Sequence, residues 1–470
     1  MEGTGPPAAV PARPADPAAI PPTGPERPPR GDSGTAAGTP DGEPQAAPRT
    51  GGPEPGKPAP ALVPLRRNRD FNLLWTGQAL SDLGTQMSAI AYPLLMLAVT
   101  GSAADAGLVA SASLVGTLLM LLPGGVVADK YPRKRVMVIA SVVQMVVGAS
   151  VVPAALTRHV YLAHLIAVGF IQGAALAFYV GASRGSIRRL VPPQQLPDAV
   201  ARSQARDRAA TMLGPPIGGA LFGAARFLPF ACDSGSFGII ALAAALLRRP
   251  LDPPPPPAGA VQAPLRQRVT EGLRFVLGQP FLRMFVIWAT AVNALVAGVR
   301  LTVIVLAQRR GATPVEIGTL FTISAGCGLA GALVSVRLTR LLSGRSLTLI
   351  SAWMFPLCAV GMVLSPSVWL IALMAGLTGF AIMPVNVILT AHAARITPDN
   401  MQAQSGNAMQ LCYTSLTWIA PTAFGALSDA FGPEAALLVA AVAYALTAIY
   451  LQFHRELRTL SKNAPPSAVA

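Results

Sequence analysis

Of the 470 residues, 52% are hydrophobic and 12% charged, which leaves too little charge to cover a water-facing surface. With a mean hydropathy of +0.50, that balance excludes an ordinary soluble enzyme or binding domain and makes the bilayer the solvent for most of the chain. A formal net charge of +15 would raise nucleic acid as a partner. Lys and Arg instead gather in alternate loops between apolar runs, without interleaved aromatics, as cytoplasmic loops do, so no nucleic-acid partner is expected.

In chain order, residues 1–64 are rich in Pro, Ala and Gly and nearly free of large apolar side chains, which predicts a disordered cytoplasmic tail. It has no apolar segment of the secretory-signal kind, and Arg66, Arg67 and Arg69 follow it directly. Six apolar runs come next, at 71–99, 104–128, 136–156, 161–181, 209–225 and 228–247, predicting an N-terminal bundle over 65–248. Residues 249–278 read as a cytoplasmic linker, Pro-rich and then amphipathic. A C-terminal bundle over 279–454 follows, with runs at 281–306, 318–338, 346–364, 367–389, 409–426 and 433–451, and then a short tail over 455–470.

Twelve spans beginning inside place Lys130, Arg133, Lys134, Arg135, Arg184, Arg188, Arg189, Arg248, Arg249, Arg337, Arg340, Arg345 and Arg395 on the cytoplasmic side, with both termini. Outer loops hold only Arg158, Arg226, Arg309 and Arg310. A common offset of 206 residues relates Arg189 to Arg395, Pro192 to Pro398, Pro215 to Pro421, Gly219 to Gly425 and Leu221 to Leu427. A register carried across a polar loop points to a six-plus-six duplication about an axis along the membrane normal, an all-α integral membrane fold of transporter type.

Four stretches carry chemistry. Between the second and third spans, Gly125, Asp129, Arg133 and Lys134 place a small residue, an acid and a basic cluster at the membrane face. A positive-inside loop explains the cations but not Asp129, a carboxylate best placed where another helix presents its N-terminal amides. In the fifth span, Gly214, Pro215, Gly218 and Gly219 combine a lost backbone hydrogen bond with small residues for close contact or bending; simple helix packing is the alternative. In the first span, Gln78, Asp82 and Gln86 recur every four residues on one helix face, with Asp82 about 16 Å into the span. Asp82 is the leading candidate for a proton or a cationic substrate, against the alternative of a buried, hydrogen-bonded acid. In the seventh span lie Asn293 and Arg300, the latter suited to an anionic group or to balancing Asp233 of the sixth.

Enzyme signals fail on context. Gly181 to Gly185 fits G-x-S-x-G but lies at the end of a membrane helix with no strand before it, and no phosphate-binding G-x-x-x-x-G-K-[ST] loop occurs. Cys232, Cys327, Cys358 and Cys412 sit inside apolar runs with no metal-ligand spacing, so neither a metal nor another cofactor is expected.

The segment from Gly125 to Val136 resembles the loop motif G-x-L-A-D-R-x-G-R-K of the major facilitator superfamily, with Lys130 for the first Arg and Pro132 for the second Gly. The resemblance implies that Asp129, Arg133 and Lys134 latch the two halves together on the cytoplasmic side, the acid facing the start of the eleventh helix. The fifth span is similar to the GPxxGG signature of proton-exchanging exporters. Leu165, Gln172 and Gly173 fit L-x-x-x-R-x-x-Q-G, with Gly169 where the family carries an Arg linked to proton transfer. The opening LRRNRDFNLLWTGQALSDLG resembles the macrolide and siderophore exporter branch. That likeness implies a central path lined by the first, fourth, seventh and tenth helices, which adds Gln172, Tyr179 and Asn386 to the candidates. The expected activity is monomeric, proton-coupled efflux of amphipathic small molecules across the plasma membrane. An importer or uniporter, and a non-transporting sensor of the same fold, are the alternatives.

Overall fold

The computed structural model describes residues 64–251 and 265–460, and all regular structure among them is helical. The first half comprises α1 (Arg69–Thr100), α2 (Ala103–Lys130), α3 (Arg133–Ala149) running into α4 (Val151–Thr157), α5 (Leu162–Leu190), α6 (Leu196–Ala224) and α7 (Leu228–Ala245). After α8 (Leu265–Gly278) come α9 (Pro280–Arg309), α10 (Pro314–Leu341), α11 (Gly344–Leu364), α12 (Val368–Ile396), α13 (Gln402–Ser415), α14 (Ile419–Phe431) and α15 (Pro433–Phe453).

Local chemistry sets the boundaries. The Asn68 side chain accepts a hydrogen bond from the Phe71 amide at 3.1 Å to open α1, and Gly101 closes it in a left-handed conformation with φ of 71°. Ser102 then caps α2 by accepting from the Asp105 amide at 3.1 Å, so two residues reverse the chain and α1 and α2 pack as neighbours. At the start of α10, Thr313 and Glu316 form a reciprocal capping box with Pro314 between them.

Among the described residues, ten helices are long and apolar enough to cross a membrane. The two exceptions fall where the fifth and eleventh spans are expected. Helix α6 starts at Leu196, well before the expected 209, because Pro197 favours a first turn and the polar stretch through Arg206 and Asp207 continues the helix. The expected 409–426 run is divided at Leu416 to Trp418. There the Ser415 and Thr417 hydroxyls donate back to the carbonyls of Cys412 and Thr414, each at 2.7 Å, and Pro421 has no amide to offer the turn before it. The expected tail over 1–64 and the Pro-rich residues 252–264 lie outside the described residues, Pro64 excepted. The other expected tail begins later than 455: residues Arg455–Leu460 form a short 3-10 helix that buries Leu457 and Leu460.

Within the first half α2 packs on α5, and α1 on α6 and α7. Within the second α10 packs on α12, α11 on α15, and α9 on α14 and α15. The halves meet through α2 with α14 and α6 with α10. These contacts sit at the end away from the basic loops, where the main hydrophobic core runs through both halves, from Ile90, Leu94 and Phe222 to Val299, Leu320 and Phe424. Toward the basic end the first half keeps a separate core around Leu74, Met137, Leu190 and Ile240.

Glycine lets the backbones touch at this junction: a Cβ on Gly107 would fall on the Pro421 carbonyl, and one on Gly219 on the Pro314 carbonyl. The Thr322 hydroxyl donates to the Met212 carbonyl and that of Thr422 to Ser111, both at 2.7 Å. At the rim, the Asp429 carboxylate at the end of α14 accepts from the amides of Ala103 and Ala104 at 2.8 and 2.9 Å and from Ser102 Oγ at 2.7 Å. An anion set against the first turn of α2 closes this end of the protein.

Replacing Asp429 with Asn removes the charge and leaves one acceptor oxygen in place of the two that serve those three bonds. In a background lacking the four native cysteines and carrying Thr422→Cys as reporter, labelling by a membrane-impermeant maleimide from this side should accelerate about tenfold. An unchanged rate would mean that the carboxylate does not hold this end shut.

Candidate functional site

A polar cluster lies near the middle of the first half. Asp82 stands about 20 Å along α1 from the basic end, and Arg206 about 15 Å along α6. The Arg206 Nε lies 2.9 Å from Asp82 Oδ2, its Nη2 2.8 Å from Asp207 Oδ1, and its Nη1 donates to Gln78 Oε1 at 2.5 Å. Gln78 in turn donates through Nε2 to Ser183 Oγ at 2.6 Å and to Tyr179 Oη at 3.1 Å, tying α1 to α5. One turn further along α1, Gln86 Nε2 donates to Thr211 Oγ1 at 3.1 Å.

Two features set the chemistry. The cluster holds two carboxylates and one guanidinium, so one negative charge is left over inside the membrane region. The Arg206 Nε–H is aimed at Asp207, 3.2 Å away, so buried Asp82 Oδ2 is held by charge alone and receives no hydrogen bond. The Asp82 side chain as a whole keeps 39% exposure, so its carboxylate can be reached from the cavity although Oδ2 itself is buried.

Of the expected path residues, Gln78, Asp82 and Tyr179 are joined directly and Gln86 lies on the same face of α1. Gln172 is not part of the cluster: its amide donates to the Gln144 carbonyl at 3.2 Å, against α3, because Gly148 opens space there. In the second half, Asn293 and Arg300 of α9 and Asn386 of α12 are exposed side chains. Asn293 donates to the Ala289 carbonyl of its own helix at 2.8 Å, and the Arg300 guanidinium lies over the Phe321 ring, 5.0 Å from its centroid. The expected balance between Arg300 and Asp233 is not made. Asp233 is buried between α7 and α1, in the space Gly84 leaves by having no side chain. Apart from the cluster, an apolar groove of about 850 Å³ runs between α2, α5 and α14, lined by Leu108, Val115, Phe170, Trp418 and Thr422.

Residues 59–469 match the model of a family described as transmembrane secretion effectors. The chain belongs to that family of major facilitator transporters. Among curated relatives, the multidrug efflux pump Tap of Mycobacterium tuberculosis (strain ATCC 25618 / H37Rv) is 28% identical over 412 residues, covering 80% of this chain and 91% of the pump. Macrolide efflux protein A of Streptococcus pyogenes is 26% identical over 155 residues, 32% of this chain and 38% of that protein. In fold, the transporter is similar to a bacterial homologue of the human lysosomal transporter Spinster in an inward-facing, unoccupied conformation. The TM-score is 0.67 at 14% identity, with 85% of this chain and all of the other covered.

In this major facilitator transporter the loop motif is engaged only within its own half. Arg133 Nη1 donates to the Gly185 carbonyl at 3.1 Å, and Lys134 Nζ to that of Leu247, just past the end of α7, at 2.9 Å. Asp129 is 76% exposed, 4.0 Å from Arg133, and among the described residues no hydrogen bond or ion pair joins it to α13. The expected latch is open in this conformation. The close helix contact expected at Gly125 is made by Gly124, whose Cβ would lie 3.0 Å from the Ala177 carbonyl, whereas Gly125 faces open space. The GPxxGG residues divide between two neighbours, Gly214 and Gly218 toward Gln86 and Met87 of α1, Pro215 and Gly219 toward Gly318 and Pro314 of α10.

Arg206 and Asp207 escaped sequence reasoning because they precede the apolar run from 209. Extending the helical period back to Pro197 would have placed them on the first turns of the same helix. Asp429, passed over as a helix-end acid, is offset by 206 from Gly223 and so has no counterpart in the repeat.

Arg206→Ala should lower stability in detergent by somewhat less than the roughly 3–5 kcal/mol of a fully buried pair, since the Asp82 side chain remains 39% exposed. Adding Asp82→Asn should recover part of that loss in thermal unfolding. Purely additive losses would show that the two groups do not interact.

Proposed function

We propose that this transporter is a proton-coupled exporter of amphipathic small molecules, working by alternating access in the plasma membrane. The chain crosses the bilayer twelve times, with α6 as the fifth and α13–α14 as the eleventh passage, both termini cytoplasmic, and acts as a monomer. The abundance of Lys and Arg at one end supports that orientation. The bacterial relatives named as efflux pumps support outward transport.

The observation that carries coupling is the excess carboxylate. Arg206 neutralises one of Asp82 and Asp207, and the remaining charge deep in α1 is stabilised either by a proton or by a donor on the cargo, not by both. With the extracellular end closed by Asp429 and the Asp129 latch open, the cluster faces the cytoplasm, where deprotonated Asp82 receives cargo. After the halves rock, a proton from the outer side takes that place and the cargo leaves. Protons flow inward as cargo flows outward, each excluding the other from one anionic position.

In everted vesicles, an imposed inside-acid gradient should drive uptake of a fluorescent amphiphile, and an ionophore that collapses the gradient should abolish it. Asp82→Asn should reduce gradient-driven uptake at least about tenfold and remove the pH dependence of binding of the same compound. Uptake indifferent to the gradient in the unmodified transporter would end the antiport reading.

A further inference from the structure

Arg300 holds a charge that no acid in the fold neutralises. Among the described residues it forms no ion pair and none of its N–H groups donates a hydrogen bond. It lies about 14 Å from the extracellular end of α9, a depth at which an uncompensated cation is costly to keep. Asn293, Val296 and Arg300 are exposed and share one face of the helix, while Val292, Gly298, Val299 and Leu301 are buried as α9 packs on α14 and α15.

Contacts with α10 locate that face. Phe321, under the guanidinium, precedes Thr322, whose hydroxyl holds the Met212 carbonyl of α6, and Gly318 one turn earlier meets Pro215. Arg300 is therefore drawn toward the α6–α10 junction between the halves, where Gly214 packs against Gln86 of the polar face of α1. It belongs to the interior path rather than to the lipid surface.

A guanidinium held over an aromatic ring by a cation–π contact keeps its N–H groups unengaged, and their fork matches the two oxygens of a carboxylate or another oxyanion. The cluster around Asp82 carries the opposite excess, so an anionic group entering the cavity is repelled from the first half and drawn to the second. We propose that Arg300 is the anion-recognition residue of the cargo site and that the cargo is an amphiphile bearing a carboxylate-type oxyanion. Its charged end contacts Arg300, its apolar part lies along Phe321, and a hydrogen-bond donor elsewhere on the same molecule is the group that meets Asp82. This assignment of cargo class rests on the exporter reading above, but the binding it requires does not depend on the direction of transport or the coupling ion.

The test is equilibrium binding of two pyrene probes to the full chain in lipid nanodiscs, with empty nanodiscs subtracted. The probes are 1-pyrenebutyrate and the uncharged 1-pyrenebutanol, which share an apolar body. The unmodified transporter should bind the acid about tenfold more tightly than the alcohol. Arg300→Gln should reduce that preference to near unity with alcohol binding unchanged, which also reports an intact fold, and Arg300→Lys should retain part of it. No preference in the unmodified protein, or an undiminished one in Arg300→Gln, overturns the assignment. If Arg300→Gln binds neither probe, Arg300→Lys decides: a kept preference supports the site and a lost one overturns it. Everted-vesicle uptake of the alcohol separates the two readings, since anion preference without gradient-driven uptake removes the exporter and leaves the site.

Discussion

An unpaired guanidinium inside a membrane protein is costly, and the shared grip of Arg206 on Asp82, Asp207 and Gln78 is the interaction around which the first half is arranged. It fixes α1 against α6 through charge, while Gln78 carries the network on to Tyr179 and Ser183 of α5. Three helices of one bundle are thus registered by polar contacts at a depth where hydrophobic burial gives little direction, since side chains meet acyl chains as readily as one another. The same network is one proton short of neutrality, and the proposed coupling rests on that imbalance.

Closure of the two halves obeys a different physics. Across α2–α14 and α6–α10 the approach depends on glycines meeting carbonyl backbone, and a shared core of Ile90, Leu94, Phe222 and Phe424 fills the end away from the basic loops. Asp429 completes the seal with three hydrogen bonds to the first turn of α2. At the basic end, among the described residues, Asp129 has no such partner, and the first half keeps its own core. The asymmetry between ends defines the conformation: tight backbone packing can be occupied at only one end at a time if rigid bundles rock about the middle.

Much of the fold was readable because the bilayer imposes simple rules. Apolar runs long enough to cross it and basic loops at every second turn located most helices within a few residues. Reading failed where polarity and helix coexist. Arg206 and Asp207 fell outside a run defined by hydropathy, and the eleventh span broke at Leu416 to Trp418 because hydroxyls and Pro421 weakened its backbone ladder. In the candidate site, the four-residue spacing correctly set Gln78, Asp82 and Gln86 on one face. The same logic could not know that Gln172 turns to the Gln144 carbonyl, since periodicity names a face and not the neighbour it meets.

The sequence by itself determined a helical membrane chain of duplicated halves with acids and amides on the first helix, because helical period, span length and charge bias are properties of local sequence. Tertiary structure alone decided the rest: that Arg206 reaches Asp82 across 123 intervening positions, that Arg300 rests on Phe321 with no acid beside it, and that Asp429 rather than Asp129 is engaged. Pairing of charges depends on distance in space, and in a bundle of crossing helices that distance is set by packing, which no single helix encodes.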